Sequence, residues 1–154
     1  MTEKMICFDM DGTIADLFGV ENWLEKLRSF DATPYATAKP LYDMDELREV
    51  LIALINEDWE IRVVSWLSKG STPEYDRATR MAKREWLARY NFPADKIHLV
   101  AYGTTKANCV RKETKYAILV DDNEKIRRGW HLGATINPTT GTLLTDLENL
   151  LTRI

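Results

Sequence analysis

Two aspartates, Asp9 and Asp11, flank one methionine at the end of an apolar run, and a glycine and a threonine follow them, in the segment Met5-Ile6-Cys7-Phe8-Asp9-Met10-Asp11-Gly12-Thr13. Carboxylates held this close repel, so the spacing asks either for a hard cation such as Mg2+ or for a dyad that shares a proton. A second acidic pair, Asp121-Asp122, closes another apolar run, and Ser65 closes a third. These groups are far apart in the chain and can act together only if the fold brings three strand ends to one place.

The elements that would do so read from the hydrophobic period. Residues 5–8 form a short buried strand, 61–65 a second, 97–101 a third, 116–120 a fourth and 133–136 a short fifth. Asp43-Met44-Asp45-Glu46 has capping-box spacing, and Leu47, Val50, Leu51, Leu54 and Ile55 repeat behind it at helical period. Pro73 opens a helix with the stripe Ala78, Ala82 and Trp86, residues 105–113 read as another, and Thr145-Asp146-Leu147-Glu148 caps a terminal helix carrying Leu147, Leu150 and Leu151. This alternation predicts an α/β fold, a three-layer Rossmann-like parallel sheet with helices on both faces and right-handed crossovers. In such a sheet the carboxyl ends of the strands share one edge, so Asp9, Asp11, Ser65, Asp121 and Asp122 converge. The 154 residues suit one domain, 1–154, with a small cap-like insertion at about 15–40. Within the insertion, residues 20–27 read as a short amphipathic helix that Asp31-Ala32-Thr33-Pro34 breaks.

With Lys106 added, the ordered set Asp9-Met10-Asp11-Gly12-Thr13, Ser65, Lys106 and Asp121-Asp122 resembles the four motifs of the haloacid dehalogenase superfamily of phosphohydrolases, over the chain from Met5 to about Arg128. The resemblance implies a Mg2+-dependent phosphomonoester hydrolase working through an aspartyl-phosphate. Asp9 would be the nucleophile, and Asp11 the acid for the leaving alkoxide and then the base for water. It also implies a metal site made by Asp9, the backbone carbonyl of Asp11 and Asp121, with Asp122 holding water or a neighbouring ligand. The Ser65 hydroxyl, the backbone N–H of Trp66 and the charge of Lys106 suit a phosphoryl group whose charge is spread over its oxygens.

More narrowly, these motifs look similar to those of 5'(3')-deoxyribonucleotidases, a family that places base-packing aromatic residues in the insertion. Phe18, Trp23 and Phe30 lie there, although Trp23 also reads as glue between the small helix and the domain. Lys69, just past the second strand, is a further candidate for substrate contact. The expected ligand is thus a small phosphomonoester, a nucleoside or deoxyribonucleoside monophosphate. Two other readings stand beside it. Arg77, Arg80, Lys83 and Arg84, read as one helix face, suggest a nucleic-acid 3'-end phosphatase. A phosphate-binding regulatory module without catalysis belongs to a different class.

The bulk composition narrows the field. Hydrophobic residues make up 45% and charged residues 29% of the chain, with no stretch long enough to cross a bilayer, and the start of the chain does not read as a secretory signal, so the expected location is cytoplasmic. A net charge of -3 does not draw the protein toward nucleic acid or anionic membrane. Cys7 and Cys109 lack metal-ligand spacing and suit packing as small hydrophobes. A dinucleotide-binding function is excluded by the absence of Gly-X-Gly-X-X-Gly after the first strand.

Overall fold

Strand β1 (Lys4–Phe8) is apolar from Met5 onward because it lies at the centre of a sheet covered on both faces, and these four side chains are fully buried. The computed structural model describes residues 1–152, so Arg153 and Ile154 of the expected 1–154 domain lie outside the described residues. Two short strands, β2 (Ala15–Asp16) and β3 (Lys39–Pro40), pair antiparallel and form the base of the inserted segment. Strands β4 (Trp59–Trp66), β5 (Lys96–Val100), β6 (Ala117–Val120) and β7 (Thr135–Ile136) join β1 in a five-stranded sheet of order β5-β4-β1-β6-β7. Every neighbouring pair in it is parallel.

The expected helices sit around this sheet, with corrected bounds. On one face, Ile6, Phe8, Ile61, Val63, Ile118 and Val120 pack with Leu47, Leu51, Leu54, Trp86, Leu87, Leu143 and Leu147. The helices supplying that layer are α3 (Met44–Asn56), α4 (Pro73–Arg89) and α6 (Leu143–Glu148). Asp43 caps α3 by accepting from the N–H groups of Asp45 and Glu46 at 3.0 and 3.1 Å. The terminal helix α6 starts at Leu143, earlier than Thr145, because Gly141 turns the chain at φ +81° and Thr142 Oγ1 bonds Asp146 Oδ2 across the first turn. Leu150 and Leu151 lie past its end and still pack on the core.

The other face is covered more thinly. Met5, Cys7, Val64, Ala117 and Leu119 pack under Ala107, Val110, Trp130 and Ile126, the last from α5 (Glu124–Arg128). The helix expected over 105–113 is only a 3-10 turn, Lys106–Cys109, followed by turns. Thr105, Asn108, Cys109 and Val110 are weak helix formers, and the segment must turn the Lys106 side chain inward.

β4 is longer than the expected 61–65. Glu60 and Arg62 interrupt the apolar pattern, yet both remain in the strand because Arg62 bonds Glu60 at 3.0 Å and Glu113 at 2.8 Å. In the insertion, a 3-10 turn (Leu17–Gly19) precedes α1 (Trp23–Arg28), which ends before the expected break at 31–34, and that segment also opens α2 (Thr33–Thr37). Pro34 lies in the first turn of α2, where a missing N–H costs nothing.

The largest correction concerns α4. Its buried face is Tyr75, Thr79, Ala82, Lys83, Trp86 and Leu87, while Ala78 is exposed. The inserted segment widens that face: Trp86 Nε1 donates to Ala38 O at 2.8 Å, Arg89 to Ala36 O at 2.8 Å and Tyr75 Oη to Asp31 O at 2.9 Å. Lys83 therefore points inward, and the supposed basic outer face keeps only Arg77, Arg80 and Arg84.

Candidate active site

From β1 the chain steps to β4 and β5 on one side, then returns across the sheet to β6 and β7 on the other. The carboxyl ends of β1 and β6 thus border the switch point where open α/β sheets bind ligands. A cavity of about 480 Å3 opens there, with Asp9, Asp11, Asp121 and Asp122 among its lining residues. Its other walls come from the insertion (Leu17, Phe18, Trp23, Leu24, Leu27) and from the ends of β4 and β5 (Trp66, Tyr102).

Lys106 anchors the acidic floor. Its ammonium donates to Asp9 Oδ1 at 2.9 Å and to Asp121 Oδ2 at 2.8 Å, and all three residues are buried. Burial works to lower the Lys106 pKa, but these two ion pairs outweigh it and leave the group raised and charged. Thr13 Oγ1 lies 3.0 Å from Asp9 Oδ2 and 3.2 Å from Asp122 Oδ1, and it accepts the Asp122 N–H at 3.1 Å. Gly12 makes this closeness possible. It sits at φ +81°, and a Cβ there would come within 2.4 Å of Asp122 Oδ2 and 2.8 Å of the Phe18 ring.

The donor set fits a hard divalent cation. Asp9, Asp121 and Asp122 each offer a carboxylate oxygen, all within 4.8 Å of one another. One lysine bridges two of the three, so negative charge is left over. Burial, then the charge of Asp9, pushes Asp122 up to about 7, and the same two causes raise Asp121 against the pull of Lys106. The Asp11 carboxylate is not in this cluster.

A stability test follows from the signs. A carboxylate whose folded pKa is raised contributes stability below its unfolded value, near 3.8, and loses it as pH rises through the folded value, about 7 for Asp122. The metal-free protein therefore loses stability between pH 4 and 7. Glu113, pulled down to about 2 chiefly by its hydrogen bond from Arg62, titrates below that window. His98, pushed down by burial, gives the opposite slope whether or not metal is bound. The rise in melting temperature on replacing EDTA by Mg2+ isolates the cluster, and it should grow by about 5 °C or more between pH 5 and 8. A pH-independent rise would mean that the three carboxylates do not bind the ion.

Asp11 has a partner that the sequence reading assigned elsewhere. Lys83, fully buried, donates to Asp11 Oδ2 at 2.9 Å, to Ser65 Oγ at 2.8 Å and to Trp66 O at 2.8 Å, with its ammonium 4.9 Å from the Tyr35 ring centroid. Burial raises the Asp11 pKa and Asp9 adds to it, while Lys83 opposes both. Ser65 is fully buried and is not among the cavity-lining residues; its hydroxyl oxygen receives Lys83 instead. Trp66, Phe18, Trp23 and Lys69 all line the cavity, while Phe30 stands outside it, stacked edge-on against Tyr75. Arg28, Tyr35 and Tyr102 join the lining without having been singled out. The signal for Lys83 was present: it falls four residues after Thr79 and three before Trp86, on the apolar stripe.

Compared with solved structures, the chain aligns over 98% of its length with the whole of D,D-heptose 1,7-bisphosphate phosphatase from Burkholderia thailandensis, at a TM-score of 0.59 and 14% identity. The chain has the haloacid dehalogenase-like fold. A protein described as a haloacid dehalogenase-like hydrolase, from Burkholderia xenovorans LB400, aligns over 97% of this chain and 90% of its own at a TM-score of 0.47 and 15% identity. No protein-family profile matches the sequence, and no curated protein does. Among the described residues, no helix of this haloacid dehalogenase-like fold is long and apolar enough to cross a membrane.

Proposed function

We propose that this protein is a Mg2+-dependent phosphomonoester hydrolase that uses Asp9 as its nucleophile and acts on nucleoside monophosphates, deoxyribonucleotides among them. The observation that carries the reading is the floor itself: Asp9 held at 2.9 Å by Lys106, with Asp121 and Asp122 beside it and Asp11 on the same cavity. Asp9, Asp121 and Asp122 would hold the ion, which when bound would neutralise phosphoryl charge that otherwise repels a carboxylate nucleophile.

An Asp9 oxygen bonds phosphorus as the ester P–O bond breaks, and Asp11 gives its proton to the departing alkoxide. Asp11 then takes a proton from water as that water attacks the aspartyl-phosphate, returning free Asp9 and inorganic phosphate. Lys106 and Thr13 fix the direction of the Asp9 carboxylate throughout. The Trp66 N–H and the Lys106 ammonium are the groups proposed to meet the phosphoryl oxygens. Ser65 is proposed to act through Lys83.

The nucleotide reading rests on two aromatic pairs lining the cavity. Phe18 and Trp23 meet with ring centroids 4.9 Å apart, and so do Trp66 and Tyr102. Such surfaces offer a base two stacking platforms in a volume suited to a small ligand. The nucleic-acid-end alternative loses support, since Lys83 leaves the basic face for the site.

The test is phosphate release from deoxy- and ribonucleoside monophosphates, a 3'-phosphorylated oligonucleotide and sugar phosphates, with Mg2+ and with EDTA. Mg2+-dependent turnover that favours the mononucleotides is expected. Folded, Mg2+-binding protein that releases phosphate from none of them would replace this reading with a phosphate-binding module.

A further inference from the structure

The cavity is segregated by charge. All four carboxylates in its lining are the aspartates that follow β1 and β6, its walls are largely apolar, and its two remaining cations besides Lys106 are Arg28 and Lys69. Arg28 closes α1 of the inserted segment, and Lys69 lies in the loop after β4. Both are exposed, and neither forms an ion pair with a lining carboxylate among the described residues: Asp9 and Asp121 hold Lys106, Asp11 holds Lys83, and Asp122 meets Thr13 on the floor.

Lys69 is tied to the floor by a ladder of contacts. Its ammonium lies 5.9 Å from the Tyr102 ring centroid, Tyr102 lies 4.9 Å from Trp66, and the Lys106 ammonium lies 5.5 Å from the Trp66 ring. Cation, two aromatic rings and cation thus follow one another from the acidic floor to the loop after β4. A single phosphate on the floor leaves the outer cations unused. A ligand with two separated anions and a flat ring beside them would engage the floor, an aromatic wall and the outer cations together.

We propose that the preferred substrate is a nucleotide carrying a second phosphoryl group, with the reacting phosphate on the acidic floor and the second one against Arg28 and Lys69. This inference rests on the phosphatase reading above and narrows its substrate. Water would supply hydroxyl to the reacting phosphorus and a proton to the sugar oxygen, so a nucleoside bisphosphate becomes a nucleoside monophosphate and inorganic phosphate. The second phosphoryl group could equally be the phosphodiester of a following residue, since the cations would recognise the same oxygens.

Steady-state kinetics with Mg2+ on deoxyadenosine 5'-monophosphate, deoxyadenosine 3',5'-bisphosphate and a 5'-phosphorylated dinucleotide test this. The bisphosphate should show a KM about tenfold below that of the monophosphate, and the advantage should shrink as salt rises. In the double variant Arg28→Gln/Lys69→Gln the ratio of the two KM values should collapse to about one. An advantage confined to the dinucleotide would support the anion site and place its ligand at a nucleic-acid end. Equal KM values for all three in the wild type, or a ratio that survives in the double variant, would overturn the inference and leave the phosphatase reading intact. Hydrolysis of none of them would overturn both.

Discussion

Asp9→Asn should lower kcat by about 10^4-fold or more while the protein folds as before. The amide has nearly the shape of the carboxylate, so the packing around β1 is kept, but its oxygen carries no charge with which to bond phosphorus. The loss should therefore be as large for an activated aryl phosphate as for a nucleotide, because the step removed is bond formation and not protonation of the leaving group. A second readout separates a nucleophile from a merely structural aspartate. Asp9 is a cause of the raised pKa of both Asp121 and Asp122, so the neutral side chain relieves crowding in the floor. Lys106 keeps its 2.8 Å contact with Asp121. In EDTA at pH 7 the variant should thus melt at or above the wild-type temperature, and it should bind Mg2+ more weakly because one of three carboxylates is gone. A variant with ordinary turnover would mean that Asp9 does not attack phosphorus.

How much of this was legible beforehand depended on what each side chain had to satisfy. β1 and β6 were plain because both faces of a central parallel strand are buried, leaving continuous apolar runs such as Met5-Ile6-Cys7-Phe8 and Ala117-Ile118-Leu119-Val120. The acidic pairs at their ends followed from chain direction alone. Edges and insertions were harder. Glu60 and Arg62 hid the start of β4 because Arg62 is completed by Glu113 and Glu60 by Thr2, both distant in sequence. Asp31 to Pro34 separates α1 from a further helix that its motif did not announce, because a proline that cannot continue one helix can still sit in the first turn of the next.

The site itself was misread at Lys83 for a related reason. A lysine on a helix rich in arginine looks like part of a solvated face, although its spacing from Thr79 and Trp86 sets it on the buried stripe, where Asp11, Ser65 and Trp66 O, all distant in sequence, receive it. The Ser65 hydroxyl receives that lysine, a contact that a strand-end serine does not announce, since Lys83 comes 18 residues later.

Lys83→Met should expose what that buried cation does. Methionine keeps most of the length and fills the same channel, so the fold survives with a loss of about 3–5 kcal/mol from the buried ion pair and hydrogen bonds removed. Asp11 loses the group that fixes its carboxylate and opposes its raised pKa, and with burial and Asp9 still acting, that pKa moves further up. Two kinetic consequences follow. Turnover of a nucleotide at pH 7 should fall about 100-fold, because an unanchored acid seldom points at the leaving oxygen, whereas p-nitrophenyl phosphate, whose leaving group needs little protonation, should lose far less. For nucleotides, the alkaline limb of kcat/KM should move to higher pH, since that limb marks where Asp11 gives up the proton it must donate. A purely structural lysine would depress both substrates equally and leave the limb in place. The contrast between the two substrates therefore decides whether Lys83 positions the acid or only fills the space beneath it.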